Sequence, residues 1–144
     1  MPADLPQYSD YPYVQPVTLR WQDNDLRGHV HSAAYYSFFD STVNAWLVER
    51  GGVDLHEGPC VAWVVSSACD YFSSLSYPAV VEVGLRVTRL SGSTVEFELA
   101  VFRVDEPEPC AVGRIVQVLV DRQTGQPVVI PDPLRVALKG LQPS

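Results

Sequence analysis

Only one stretch of this chain has the periodicity of a long helix, and the chain downstream of it has the periodicity of strands. Tyr35, Phe38, Phe39, Thr42, Val43, Trp46 and Leu47 recur at i, i+3, i+4, i+7, i+8, i+11 and i+12, a single wide apolar stripe. Ser32 stands where an N-cap belongs, and Gly51-Gly52 where a C-terminal stop belongs. A helix of about 17 residues is roughly 25 Å long, so the stripe needs an apolar surface of domain size to cover it.

The downstream chain supplies that surface. β-rich runs occupy residues 60–72, 80–90, 94–104 and 111–121. Val81, Val83, Leu85 and Val87 share one face against Glu82, Arg86 and Thr88, and Val95, Phe97, Leu99 and Val101 repeat the alternation against Glu96 and Glu98. Ser91-Gly92-Ser93 makes a hairpin turn, residues 105–109 an acidic proline-containing turn, and Gln123-Thr124-Gly125 the turn into a short run at 128–130. Connections this short favour antiparallel neighbours. Upstream, residues 17–21 alternate as a short strand; at the other end Asp132-Pro133-Leu134 opens a short helix. The sum is an α+β domain, one long central helix packed on a five- to six-stranded antiparallel sheet.

Residues 1–14, rich in Pro, Tyr and Asp and without a period, read as an N-terminal arm that lies on the surface or stays mobile; residues 15–144 read as a single domain. A net charge of -7 with scattered basic residues argues against nucleic acid as a partner. Any anionic ligand would need local arginines and backbone amides to hold it. No apolar run approaches the roughly 20 residues of a membrane span, and the N-terminus lacks a charged start and an apolar signal core, so a cytoplasmic location is expected. Cys60, Cys69 and Cys110 have no CxxC spacing and read as reduced core filler.

The chemistry is concentrated in residues 20–39, RWQDNDLRGHVHSAAYYSFF, where aspartates and histidines crowd the entrance to the helix. An Asp with an ordinary pKa near 4 is ionised at neutral pH, and a carboxylate can attack a carbonyl carbon or take a proton from water. It can equally close an Asx-turn. The first turn of a helix has unpaired N–H groups and a positive dipole end, suited to an oxygen gaining negative charge. Ser32 can supply such an amide or act as a cap. Asp23, Asp25, His29 and His31 are also hard or borderline metal ligands, and an H-x-H pair on extended backbone points both rings to one side. Asp23 reads as a residue that caps or orients the loop.

The stretch RWQDNDLRGHVHSAAYYSFFD resembles the signature of the hotdog-fold acyl-CoA thioesterases of the 4-hydroxybenzoyl-CoA thioesterase type, and the likeness extends over most of residues 17–138. The resemblance implies a hotdog fold and hydrolysis of a thioester of coenzyme A or an acyl carrier protein, without a cofactor or resident metal. It assigns Asp25 as the catalytic carboxylate, the Ser32 backbone N–H as oxyanion donor, and a positioning or electrostatic role to His29. The loop from Gly28 to Val30 would shape the approach, and Tyr35 would wall the acyl pocket. His31 and Ser32 depart from the two asparagines usual in the family, which bears on the oxyanion geometry and substrate preference. Asp40 matches an acidic helix position and reads as a solvated or ion-paired carboxylate. Arg89, Ser91 and Gly92 match a turn at which relatives hold CoA phosphates, with Arg86, Arg103 or Arg122 as further contributors. Members are typically homodimers, often paired into homotetramers, with active sites between subunits. Two other readings stand beside this one: a non-catalytic binder of acyl-CoA or acyl carrier protein, and a metal-dependent hydrolase.

Overall fold

A computed structural model describes residues 4–143. The helix α1 spans Ser32–Glu49, and all seven residues of the apolar stripe are buried. At about 1.5–3 kcal/mol per large apolar side chain, the stripe contributes on the order of 10 kcal/mol of gross apolar burial. Its surface is a five-stranded antiparallel sheet built from β1 (Tyr13–Thr18), β2 (Cys60–Tyr71), β3 (Val80–Leu90), β4 (Thr94–Arg103) and β5 (Pro109–Asp121), in the order β1-β3-β4-β5-β2. Short turns make β3, β4 and β5 a meander, while α1 carries the chain from the β1 edge to the β2 edge. A short helix α2 (Asp132–Lys139) buries Leu134 and Leu138 at the end of the sheet where β3 turns into β4.

The strand alternation works as the sequence implies. Val83 pairs with Val101, Leu85 with Leu99 and Val87 with Phe97, all beneath the helix and almost fully buried. The closest approach is at Gly113 of β5, where a Cβ would lie 2.3 Å from Cε2 of Phe39 and 2.7 Å from its Cζ. The missing side chain is what lets the helix settle onto the sheet. The opposite sheet face carries Arg86 with Glu98 at 2.7 Å and Arg114 with Glu96 at 3.6 Å.

Residues 8–11 lie across that outer face. The Tyr8 hydroxyl donates to Glu82 (2.8 Å), the Tyr11 hydroxyl donates to Glu98 (2.7 Å), and both rings meet Phe102 edge-on. Tyr11 is buried, and β1 begins at Tyr13, so the first strand lies earlier than the expected 17–21. The reason is local: residues Trp21–Asp23 coil into a 3-10 turn because the Asp23 carboxylate takes the Arg20 amide at 2.7 Å. The expected run at 128–130 forms no strand. Its amides bond singly to Leu119 and Gly92, and flanking Pro127 and Pro131 have no N–H for a ladder. The sheet therefore has the lower of the expected strand numbers.

β2 pairs with β5 along one edge only, and no strand covers its other edge among the described residues. Trp63, Val64 and Val65 on it are 51%, 48% and 59% exposed. The cysteines form no disulfide, and burial pushes the Cys69 thiol up to about 11. Among the described residues no helix is long and apolar enough to cross a membrane.

Replacing Gly113 with alanine forces a methyl group into the Phe39 ring, so Gly113→Ala is expected to destabilise the fold by about 1–3 kcal/mol in chemical denaturation, as overpacked cores do. A companion Phe39→Leu substitution, which clears that ring, is expected to recover part of the loss.

Candidate active site

The loop between β1 and α1 is shaped by its own polar residues. Asp23, 1% exposed, takes the Arg20 amide and guanidinium through its carboxylate, and its carbonyl takes the His31 amide at 2.9 Å. Desolvation pushes the Asp23 carboxyl up, but its bonds to Arg20 outweigh that and hold it below the usual range. Asn24 and Val30 form an isolated bridge that closes the loop, and the Val30 amide donates to the Leu75 carbonyl at 2.8 Å. Within this clasp the Asp25 amide donates to the His29 carbonyl (2.7 Å) and the Gly28 amide to the Asp25 carbonyl (3.0 Å). Gly28 sits at φ +81°, where a side chain would be strained.

Asp25 faces outward from this turn. One carboxylate oxygen accepts the amides of Arg27 (2.8 Å) and His29 (3.3 Å), and the other accepts the Arg27 guanidinium (3.2 Å). Partial desolvation raises its pKa, but the two amides and the Arg27 charge outweigh it, and the net shift is downward. The Asx-turn reading and the chemical reading are therefore compatible. Three bonds leave at least one of the roughly four lone-pair sites of a carboxylate open.

The helix start differs from expectation in one respect. The N-cap is His31, whose Nδ1 accepts the Ala34 amide at 3.1 Å, and Ser32 is the first helical residue. Histidine can do this because a neutral ring nitrogen is an acceptor at the reach of a short polar cap. The Ser32 hydroxyl is therefore not needed as a cap, and among the described residues the Ser32 N–H has no hydrogen-bond partner. It points from the positive end of an 18-residue helix.

Asp25, His29, Val30, His31, Ser32 and Tyr35 line one pocket of about 530 Å³. Gly28 shapes the loop behind it. Sequence reasoning missed the other wall: Arg27, and the end of β2 with Tyr71, Phe72, Ser73 and Ser74. The Tyr71 hydroxyl donates to the Ser32 carbonyl (3.0 Å), and its ring meets Tyr35 edge-on with centroids 5.0 Å apart. Burial pushes the Tyr35 phenol up to about 12 and the Tyr71 phenol higher, so both stay protonated. Arg103 donates to the Ser73 hydroxyl at 3.1 Å and to the Ser74 carbonyl, holding this wall in place.

The remaining candidates lie elsewhere. Arg89, Ser91 and Gly92 sit at the far end of β3, whose 11 residues span about 33 Å, so one chain does not bring them to Asp25. The Arg89 side chain has no partner among the described residues, whereas the carbonyls of Ser91 and Gly92 accept Arg135. Arg86 is paired with Glu98, and Arg122 donates to the Gly58 and Leu55 carbonyls. Asp40 is exposed on α1 with its pKa raised by desolvation, and it has no ion pair among the described residues. No three His, Cys, Asp or Glu side chains among the described residues gather as a metal site; the carboxylates of Asp23 and Asp25 turn to Arg20 and Arg27 instead.

Residues 19–138 match the model of the thioesterase-like superfamily. Among solved structures, the PA5185 protein of Pseudomonas aeruginosa is 49% identical, with a TM-score of 0.94 over 96% of this chain and 97% of that one. The PA2801 protein of Pseudomonas aeruginosa is 26% identical, with a TM-score of 0.83 over 89% of this chain and 98% of that one. The SAV2348 protein of Staphylococcus aureus, solved in complex with CoA, is 18% identical, with a TM-score of 0.82 over 92% of this chain and 86% of that one, a likeness of fold.

The cap can be tested apart from any activity. His31→Ala is expected to cost about 1 kcal/mol in thermal or urea unfolding, as the loss of an N-cap usually does, and His31→Asn, which restores an acceptor, to stay within a few tenths of the parent protein.

Proposed function

The chain belongs to the thioesterase-like superfamily, and from that premise we propose that it is an acyl-CoA thioesterase in which Asp25 drives cleavage and the Ser32 amide stabilises the oxyanion. The observation that carries this reading is the meeting of an ionised carboxylate and an unpartnered helix N-terminal amide on one pocket. As the tetrahedral intermediate forms, the thioester oxygen becomes negative, and one preorganised amide donor is worth about 3–4 kcal/mol to that step.

Two routes use the same atoms. In one, an Asp25 oxygen bonds to the carbonyl carbon, the carbon–sulfur bond breaks with its electrons on sulfur, and water then hydrolyses the mixed anhydride. In the other, Asp25 takes a proton from a water whose oxygen adds to the carbon, and collapse of the intermediate expels the thiolate. Arg27 keeps the carboxylate ionised in both. His29, exposed at the pocket rim, is assigned a positioning role toward the substrate.

Coenzyme A as carrier is supported by the CoA complex of the Staphylococcus aureus fold relative. The distance between Asp25 and the Arg89–Gly92 turn means that phosphates held at that turn would serve another subunit's site. A homo-oligomer paired through β2 is supported by the bare apolar edge of that strand, which a second β2 would cover by antiparallel pairing.

Asp25→Asn is expected to lower kcat/KM for acyl-CoA hydrolysis at least about a hundredfold with the fold intact. Because the Arg27 and His29 amides and the Arg27 charge depress the Asp25 pKa, the active carboxylate persists as pH falls, and the acid limb of kcat/KM is expected to lie below the ordinary carboxylate range. Unchanged thiol release in Asp25→Asn removes this residue from the mechanism. For the assembly, light scattering is expected to give the parent protein at least twice the 15.9 kDa chain mass. The double change Val64→Lys and Val65→Lys, which sets like charges against each other across the pair, is expected to give monomers with little activity.

A further inference from the structure

Under the C-terminal half of α1 the fold holds a second cavity that the proposed chemistry does not use within one chain. Its outer part, about 260 Å³, is lined by Gly51, Gly58, Pro59, Cys60 and Pro131 among others. Val53, Leu119 and Leu134 also line a narrow chamber of about 20 Å³ that adjoins it on the inner side. The chamber walls are aliphatic except for Gln117 and Ser93.

Gln117 is an unusual occupant of that position. It lies on β5 between the core residues Ile115 and Leu119, facing the helix, and is 4% exposed. Its Oε1 is shielded and has no hydrogen-bond partner among the described residues. Buried amides left unpaired destabilise a core, so a leucine would serve stability better here. Ser93 is the residue across the ladder from Leu119, whose amide donates to the Ser93 carbonyl, which sets Ser93 diagonal to Gln117. A volume of about 20 Å³ admits one small polar group and no aromatic ring.

The β2 pairing gives this cavity a substrate to meet. Tyr71, at one end of β2, borders the Asp25 pocket, and Cys60, at the other end, borders the second cavity. When β2 pairs antiparallel with its copy across a two-fold axis, the Cys60 end of one protomer lies beside the Tyr71 end of the other. In that arrangement the Cys60 border of the cavity would adjoin the Tyr71 border of the other protomer's Asp25 pocket.

We infer that this cavity receives the acyl chain of the thioester cleaved at the partner's Asp25, and that Gln117, with Ser93 beside it, accepts a hydroxyl carried at the far end of that chain. The substrate class is an aliphatic hydroxyacyl thioester. This rests on the thioesterase reading and adds the acyl group to it. A site that hydrogen-bonds a substrate hydroxyl discriminates strongly against the analogue lacking it, because the buried amide is then left unpaired.

The test compares thiol release from matched CoA thioesters of six to twelve carbons, with and without a terminal hydroxyl, by the parent protein and by Gln117→Met. The expected result is a preference of about tenfold or more in kcat/KM for the hydroxylated member at one or more chain lengths, carried mainly in KM and abolished in Gln117→Met. If the parent protein favours the plain chain at every length, or if Gln117→Met keeps the preference, the inference is overturned while the thioesterase reading stands. The parent comparison decides alone should the variant fold poorly. If no thioester in the panel releases thiol, the proposed function itself falls and this inference with it.

Discussion

The seating of Phe39 over Gly113 is the contact on which the rest of the molecule depends. α1 is the sole connection between the two edge strands, so it must cross the whole sheet, and where it lies flat determines where both its ends emerge. A helix held one side-chain radius further out would lose contact along the entire stripe, because the packed layer transmits the displacement. The N-terminus of α1 would then leave the wall formed by Tyr71, and the pocket around Asp25 would open. The geometry of the candidate site at one end of the helix thus rests on an absent side chain in the middle of the sheet.

The loop before the helix shows how two aspartates two residues apart are given opposite work. Asp23 is buried and saturated by Arg20, and its carbonyl anchors His31, so it builds the turn. Asp25 takes its bonds from the turn so built and keeps one side open to the pocket. Both pKa values fall, for the same reason: hydrogen bonds and arginine charge outweigh desolvation. Burial rather than titration separates the structural carboxylate from the one proposed to react.

How legible each feature is in the sequence depends on how local it is. The helix stripe, the alternation of β3 and β4 and the turns at 91–93 and 123–125 are written in neighbouring residues and read directly. Asp25, His29, Val30, His31, Ser32 and Tyr35 stand out as a group because they lie close together along one motif. The opposite wall of the pocket is invisible in the sequence, since Tyr71 and Ser73 reach it only through strand pairing and through Arg103 from β4. The N-cap differs from expectation because a histidine ring replaces the usual hydroxyl, and the first strand ends at Thr18, before the expected Trp21, because Trp21 belongs to a 3-10 turn closed by Asp23. Gln117 carries no signal at all: one polar residue in a strand looks solvated until the register turns it toward the helix.

The strap of residues 8–11 gives the outer sheet face two unlike halves. Tyr8 and Tyr11 roof over Phe102 and occupy the acids Glu82 and Glu98, while the end bearing Arg114, Glu96 and Thr88 is left open as a shallow charged hollow. The sheet back therefore carries a built-in polarity: one end is roofed by aromatic rings, and the other presents a mixed-charge surface in which Asp70, Glu96 and Glu98 surround Arg114.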